Sequence, residues 1–149
     1  MPKTSERDVV ESLMSKKVFS LTSSKKTFDA LTLMIKKDIG SVPILQRGRL
    51  YGIITERDIV REITNSNDYL NRPLSETTKK PVVTVTPNTK IWEAFAVMLK
   101  NKIRRLPVKQ KNGKLVGIIT ERDLFKWVVE VAYEPAIPDE VKTLVKRTH

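Results

Sequence analysis

Apolar and polar positions along the chain follow one pattern, and the chain runs through it twice. Val18 to Leu21 is a short β-branched and aromatic run that suits a strand. Phe28, Leu31, Met34 and Ile35 then recur at helical spacing, with Ser24 as candidate cap, and are expected in the core. Two further runs, Ser41 to Leu45 and Leu50 to Thr55, flank Arg47-Gly48, and a glycine in so short a connection predicts a hairpin. Ile59, Val60 and Ile63 follow as the apolar side of a second helix. The second pass has Val82 to Val85, then Trp92, Phe95, Met98 and Leu99 behind the cap candidates Asn88-Thr89. Arg105 to Lys109 and Leu115 to Thr120 come next, around Asn112-Gly113, and Leu124, Phe125, Val128 and Val129 end it.

Each pass contains the stretch GIITERD, at Gly52 to Asp58 and at Gly117 to Asp123. The flanks keep the same offset apart from one residue gained in the second turn. The chain therefore reads as two copies of a strand-helix-strand-strand-helix unit of about 45 residues, a mixed α/β (α+β) fold. One small sheet leaves an apolar face bare, so the copies are expected to pack sheet to sheet with pseudo-two-fold symmetry and equivalent clefts. The expected boundaries are 1–64 for the first unit with an N-terminal helix, 65–80 for a linker, 81–132 for the second unit and 133–149 for a tail. Val141, Leu144 and Val145 stand at helical spacing in that tail.

Composition narrows the chemistry. Zero cysteines exclude disulfides and thiolate metal sites, and the single histidine, His149 at the end, excludes a histidine metal site and a hydrolytic triad. No apolar run approaches the roughly 20 residues of a membrane span, and the start lacks the apolar core of a signal peptide, so a cytosolic protein is expected. Net charge is +11, a field that attracts nucleic acid, nucleotides or acidic lipid. Much of it sits in lysine pairs spread along the chain, at Lys16-Lys17, Lys25-Lys26, Lys36-Lys37 and Lys79-Lys80, as on solvated helix faces.

The repeated heptapeptide admits two readings. As a capping box, Thr55 or Thr120 bonds a first-turn amide and Asp58 or Asp123 returns a bond. Capping accounts for a Thr and an acid but not for the identical Gly-Ile-Ile and Glu-Arg around them. As a ligand site, the unpaired amides at the helix start favour a phosphate, the Asp carboxylate complements a ribose diol, and Arg57 or Arg122 adds fixed positive charge. Apolar strand residues alongside offer a slot for a purine. With no glycine-rich phosphate loop, apposed carboxylates or activated nucleophile, the motif implies binding without turnover, no catalytic residue and no metal.

The motifs IGSVPI with GIITERD, and IRRLPV with GIITERD, resemble those of CBS (cystathionine β-synthase-type) domains in tandem, the pair known as a Bateman module. The resemblance covers about Ser12 to Val131. It implies a regulatory binding module for adenine nucleotides (AMP, ADP or ATP) that senses ligand for an unidentified partner protein and works as a homodimer. It also implies which residues meet the ligand. Thr55, Arg57 and Asp58 would combine with Val83, Thr84, Arg104, Arg105, Leu106 and Pro107. Thr120, Arg122 and Asp123 would combine with Phe19, Ser20, Leu21, Thr22, Gly40, Ser41, Val42 and Pro43. The family often has an Asp after the strand that follows the Pro, where Gln46 and Gln110 stand here. An S-adenosylmethionine or dinucleotide binder in the same cleft, and a nucleic-acid-binding protein using the positive charge, are the alternatives.

Overall fold

The computed structural model describes residues 8–80 and 82–132, and its elements come in the expected order. The first repeat contains β1 (Leu21–Thr22), α1 (Thr27–Lys37), β2 (Ser41–Gln46), β3 (Arg49–Thr55) and α2 (Glu56–Ile63). A short helix, α3 (Leu74–Thr77), lies in the connecting segment. The second repeat contains α4 (Ile91–Asn101), β4 (Arg105–Lys109), β5 (Leu115–Thr120) and α5 (Glu121–Trp127), which runs on into a π-helical turn, Val128–Ala132. The architecture is mixed α/β, as the pattern predicts. The expected tail helix at Val141, Leu144 and Val145 lies outside the described residues.

The first hairpin forms where the backbone is free to turn. Arg47 and Gly48 have positive φ, 53° and 76°, the pair of left-handed residues that a two-residue turn between twisted strands needs. β2 then pairs antiparallel with β3, Ser41 opposite Thr55, and parallel with β1. The opening strands are shorter than expected. Only Leu21 and Thr22 lie in register with β2, and of Val82 to Val85 only Val85 pairs, through an isolated parallel bridge to Val108. β-propensity favours both runs, but a strand exists only where a neighbouring backbone lies in register.

Two expectations about the helices are corrected. α1 and α4 are capped at Lys26 and Lys90, not at Ser24 or Asn88-Thr89. The Lys26 amide donates to the Asp29 carboxylate at 2.9 Å, and the Thr89 hydroxyl is taken up in the preceding turn by the Thr86 amide at 3.0 Å. The core face is also narrower than the apolar spacing. Met34 and Met98 are buried, but Phe28 (52% exposed), Ile35 (74%) and Leu99 (76%) face outward, as do Val60 and Phe125. A period of 3.6 residues identifies an apolar side without saying how much of it a neighbour covers.

The residues group into two compact units that are not the two repeats. One comprises 17–80, 82–83 and 109–115, and the other 8–16, 84–108 and 116–132. In the first, the connecting segment is part of the core, with Tyr69 and Leu74 buried against Met34, Ile54 and Ile59. Polar groups pin it there: Tyr51 Oη donates to the Ser75 carbonyl at 2.6 Å and Thr27 Oγ1 to the Arg72 carbonyl at 2.9 Å. The second unit is completed by the segment before the first repeat. There the expected N-terminal helix is a single 3-10 turn, Val10–Ser12, whose fully buried Val10 packs with Ile91, Leu106 and Leu124.

A backbone strap crosses the last strand of each unit at the same place. Lys79 forms an antiparallel bridge with Ile53, and Ser15 with Ile118. The glycine that opens each GIITERD lies beneath that strap. A Cβ at Gly52 would stand 2.6 Å from Thr78 Cγ2 and 2.7 Å from the Lys79 carbonyl oxygen; one at Gly117 would stand 2.5 Å from Met14 Sδ and 3.0 Å from the Ser15 carbonyl oxygen. Glycine is needed at both positions for close approach, not for its φ.

Gly52→Ala is therefore expected to lower stability by about 1–3 kcal/mol, read from the midpoint of urea or thermal unfolding. Gly117→Ala is expected to lower it less, because a Met side chain moves aside more easily than a backbone carbonyl. Equal midpoints for wild type and Gly52→Ala would show that the strap is not in close contact.

Candidate functional site

Both copies of the motif start a helix in the same way. Thr55 ends β3 in extended conformation (φ −121°) and caps α2. Its amide and its hydroxyl both donate to Asp58 Oδ2, at 3.0 and 2.9 Å, and the Asp58 amide donates to Thr55 Oγ1 at 3.2 Å. In the other unit the Thr120 amide and hydroxyl donate to Asp123 Oδ2, each at 2.9 Å, and the Asp123 amide donates to Thr120 Oγ1 at 3.2 Å. The capping box is present twice with nearly the same lengths.

The helix starts offer fewer free donors than expected. The Glu56 amide donates to the Gly40 carbonyl at 3.0 Å, and the Glu121 amide to the Arg104 carbonyl at 2.8 Å. With the capping box, these bonds occupy the amides of Thr55, Glu56 and Asp58, and of their counterparts in the second unit. The expectation of a row of unpaired amides facing a phosphate is corrected: the antiparallel register that sets Ser41 opposite Thr55 brings a carbonyl into that space. What remains is carboxylate chemistry. A capping Asp uses one oxygen, so Oδ1 of Asp58 and of Asp123 is left over, and a carboxylate oxygen accepts more than one hydrogen bond.

Of the other expected residues outside the heptapeptides, all but Val83 lie in the unit of their own repeat's motif, not in that of the motif with which the resemblance would combine them. Gly40, Ser41, Val42 and Pro43 are buried beside Thr55 and Asp58, and Leu106 and Pro107 are buried in the unit of Thr120 and Asp123. Arg104 is exposed and Arg105 half-buried in that same unit, and Arg57 and Arg122 are exposed. Phe19, Ser20, Leu21 and Thr22 belong to the unit of Thr55; Phe19 is half-buried, with Lys17 Nζ 5.7 Å and Lys37 Nζ 5.1 Å from its ring centroid. Val83 is exposed and Thr84 half-buried.

Two residues at the Asp58 site are not among the expected site residues. Lys79, assigned to a linker, extends Nζ to 3.2 Å from Asp58 Oδ1, the oxygen that the cap does not use. Asp58 is only 8% exposed, so this ammonium neutralises a largely buried charge. Among the described residues no cation is ion-paired with Asp123. Tyr69 is 3% exposed and its hydroxyl has no hydrogen-bond partner among the described residues. Burial pushes its pKa up to about 12, with the negative charges of Asp58 and then Glu62 adding to the effect and Arg72 opposing it. The offset between repeats, which aligns Lys79 with Ser15, is the one sequence signal that marks Lys79 as a difference between the two sites.

The CBS domain model matches residues 10–65 and 74–130, so it covers both repeats with their straps. The chain belongs to the CBS domain family. It is 33% identical over 123 residues to an uncharacterized 17.7 kDa protein of Acidianus ambivalens, covering 82% of this chain and 74% of that one. It is 31% identical over 115 residues to the CBS domain-containing protein YhcV of Bacillus subtilis, covering 77% and 81%. The crystal structure of the CBS domain pair of protein MJ0100, in complex with 5′-methylthioadenosine and S-adenosyl-L-methionine, superposes with a TM-score of 0.71 at 27% identity, covering 79% of this chain and 93% of that one. Other relatives are longer, and of several the chain spans half their length or less.

The Tyr69 environment generates a pH prediction. Below pH 10 the hydroxyl keeps its proton in both folded and unfolded chains. Between 10 and about 12 the unfolded chain loses it first, so stability falls as pH rises through that window. Tyr69→Phe removes this component, so the stability difference between wild type and variant should change by about 2 kcal/mol from pH 9 to pH 12 in paired urea melts. A difference that stays constant across the window overturns the assignment.

Proposed function

We propose that this CBS pair is a regulatory module that binds an adenosyl ligand, its ribose diol held by Asp58 or Asp123. The observation that carries the reading is the carboxylate oxygen that the cap does not use: the same capping box occurs in both units, uses Oδ2 and leaves Oδ1 outside it, where at Asp58 it meets the exposed Lys79 ammonium at 3.2 Å. A cap alone needs no second acceptor oxygen held in a fixed direction, whereas a vicinal diol presents two donors that match a carboxylate. The bound 5′-methylthioadenosine and S-adenosyl-L-methionine of the MJ0100 pair support an adenosine-reading ligand. Among such ligands, adenine nucleotides suit a chain of net charge +11 with Arg57 and Arg122 exposed on the first turns of α2 and α5. The module acts as a homodimer and reports ligand occupancy to a partner protein rather than turning the ligand over.

Titration calorimetry tests this with AMP, ATP, S-adenosylmethionine and 2′,3′-dideoxyadenosine monophosphate. Adenosyl ligands with an intact diol should bind, and the dideoxy analogue should lose about ten-fold or more, since a hydrogen bond to a charged group contributes about 1.5–3 kcal/mol. The double variant Asp58→Asn, Asp123→Asn keeps a capping oxygen, so its unfolding midpoint should move little while binding is lost. Equal affinity for the dideoxy analogue, or a double variant that binds as wild type does, overturns the ribose role.

A further inference from the structure

The two straps occupy the same place and differ in charge where they pass the site. Lys79 bridges Ile53, and Ser15 bridges Ile118; these isoleucines hold the same position in the two copies of GIITERD, two residues before the capping threonine. At one site an ammonium therefore reaches the spare oxygen of the Asp, at 3.2 Å. At the other the residue of the strap that bridges the equivalent isoleucine is Ser15, which carries no charge. We infer that Lys79 is a specificity-determining residue: it makes the Thr55–Asp58 site select anionic adenosyl ligands, while the Thr120–Asp123 site lacks that selection. The inference rests on the adenosyl reading above and deepens it.

Asp58 by itself would repel a phosphate placed beside the ribose it holds. Paired with Lys79 it forms a neutral couple whose cationic member is mobile, because the Lys79 side chain is 56% exposed and the Asp58 side chain 11%. The lysine end of the pair is exposed, so the ammonium can shift on its stem while the buried carboxylate stays in its cap. A diol that takes Oδ1 displaces the ammonium only as far as its flexible stem allows, which keeps the positive charge near the ribose and within electrostatic range of whatever the 5′ carbon carries. A 5′-phosphate attracts it there, and a thioether is indifferent. The sulfonium of S-adenosylmethionine is repelled. A compact ammonium on a four-carbon stem suits this better than a fixed fork, since it can serve the carboxylate when the site is empty and the phosphate when it is filled. With Ser15 in the equivalent position and no cation ion-paired with Asp123 among the described residues, the Asp123 carboxylate keeps its negative charge toward the ligand and favours cationic over anionic adenosyl ligands.

The three ligands 5′-methylthioadenosine, AMP and S-adenosylmethionine share adenosine and differ in charge, so they separate the inference from the reading beneath it. In an Asp123→Ala background, which leaves the Thr55–Asp58 site, Lys79→Met should lower the affinity ratio of AMP to 5′-methylthioadenosine about ten-fold by calorimetry. It should tighten S-adenosylmethionine, while Lys79→Arg should keep the wild-type order. In an Asp58→Ala background, Ser15→Lys should raise the AMP to S-adenosylmethionine ratio at the remaining site. Thermal melts of each variant confirm that the strap still docks. If all three ligands bind and Lys79→Met changes them equally or not at all, the charge selection is overturned and the adenosyl reading stands. If none of the three binds to the unmodified chain, both fall.

Discussion

Backbone amides at the start of a helix have to find acceptors, and the way this chain satisfies them at α2 and α5 arranges everything else at the site. Thr55 and Asp58 close on each other, as do Thr120 and Asp123, and one further amide of each first turn goes to the carbonyl of the residue just before the adjacent strand. A carboxylate fixed by two donors on one oxygen is held in orientation without being used up. The capping and binding readings of the motif are therefore not rivals. The cap fixes the direction in which the second oxygen points, and ligand chemistry needs that direction held.

The same economy explains the remainder of the heptapeptide. Its glycine lies under a crossing strap, its isoleucines alternate between a buried and a half-buried side, and its threonine ends the strand. The strap over Gly52 ends in the lysine that reaches Asp58, so the residue that forbids a Cβ and the residue that supplies a counter-charge belong to one segment. Identical motifs can thus carry different electrostatics, because the distinguishing residue lies outside the repeated stretch.

Each core also draws on residues outside its repeat. Val10 completes one and Tyr69 with Leu74 completes the other. A three-stranded or two-stranded sheet with two helices has too little apolar surface of its own to bury, so flanking segments are recruited as covering layers. Recruiting Tyr69 brings a hydroxyl into an apolar setting near Asp58, which is why its proton is held so tightly.

Period and repetition alone determined the order of elements, the two hairpins and the bounds of β4 and β5, because side-chain alternation and turn glycines are local signals. The pairing of Thr with Asp was equally legible, since both partners lie within one helical turn. Tertiary structure decided what depends on a distant neighbour. It shortened the first strands to the residues that find a partner, and it turned Phe28, Ile35 and Leu99 outward despite their spacing. It filled the first-turn amides that looked free, and it brought Lys79 to Asp58 from across twenty-one positions of chain. A sequence records which groups are available for contact, but an ion pair between a strap and a helix start exists only once the strap has been laid across the strand.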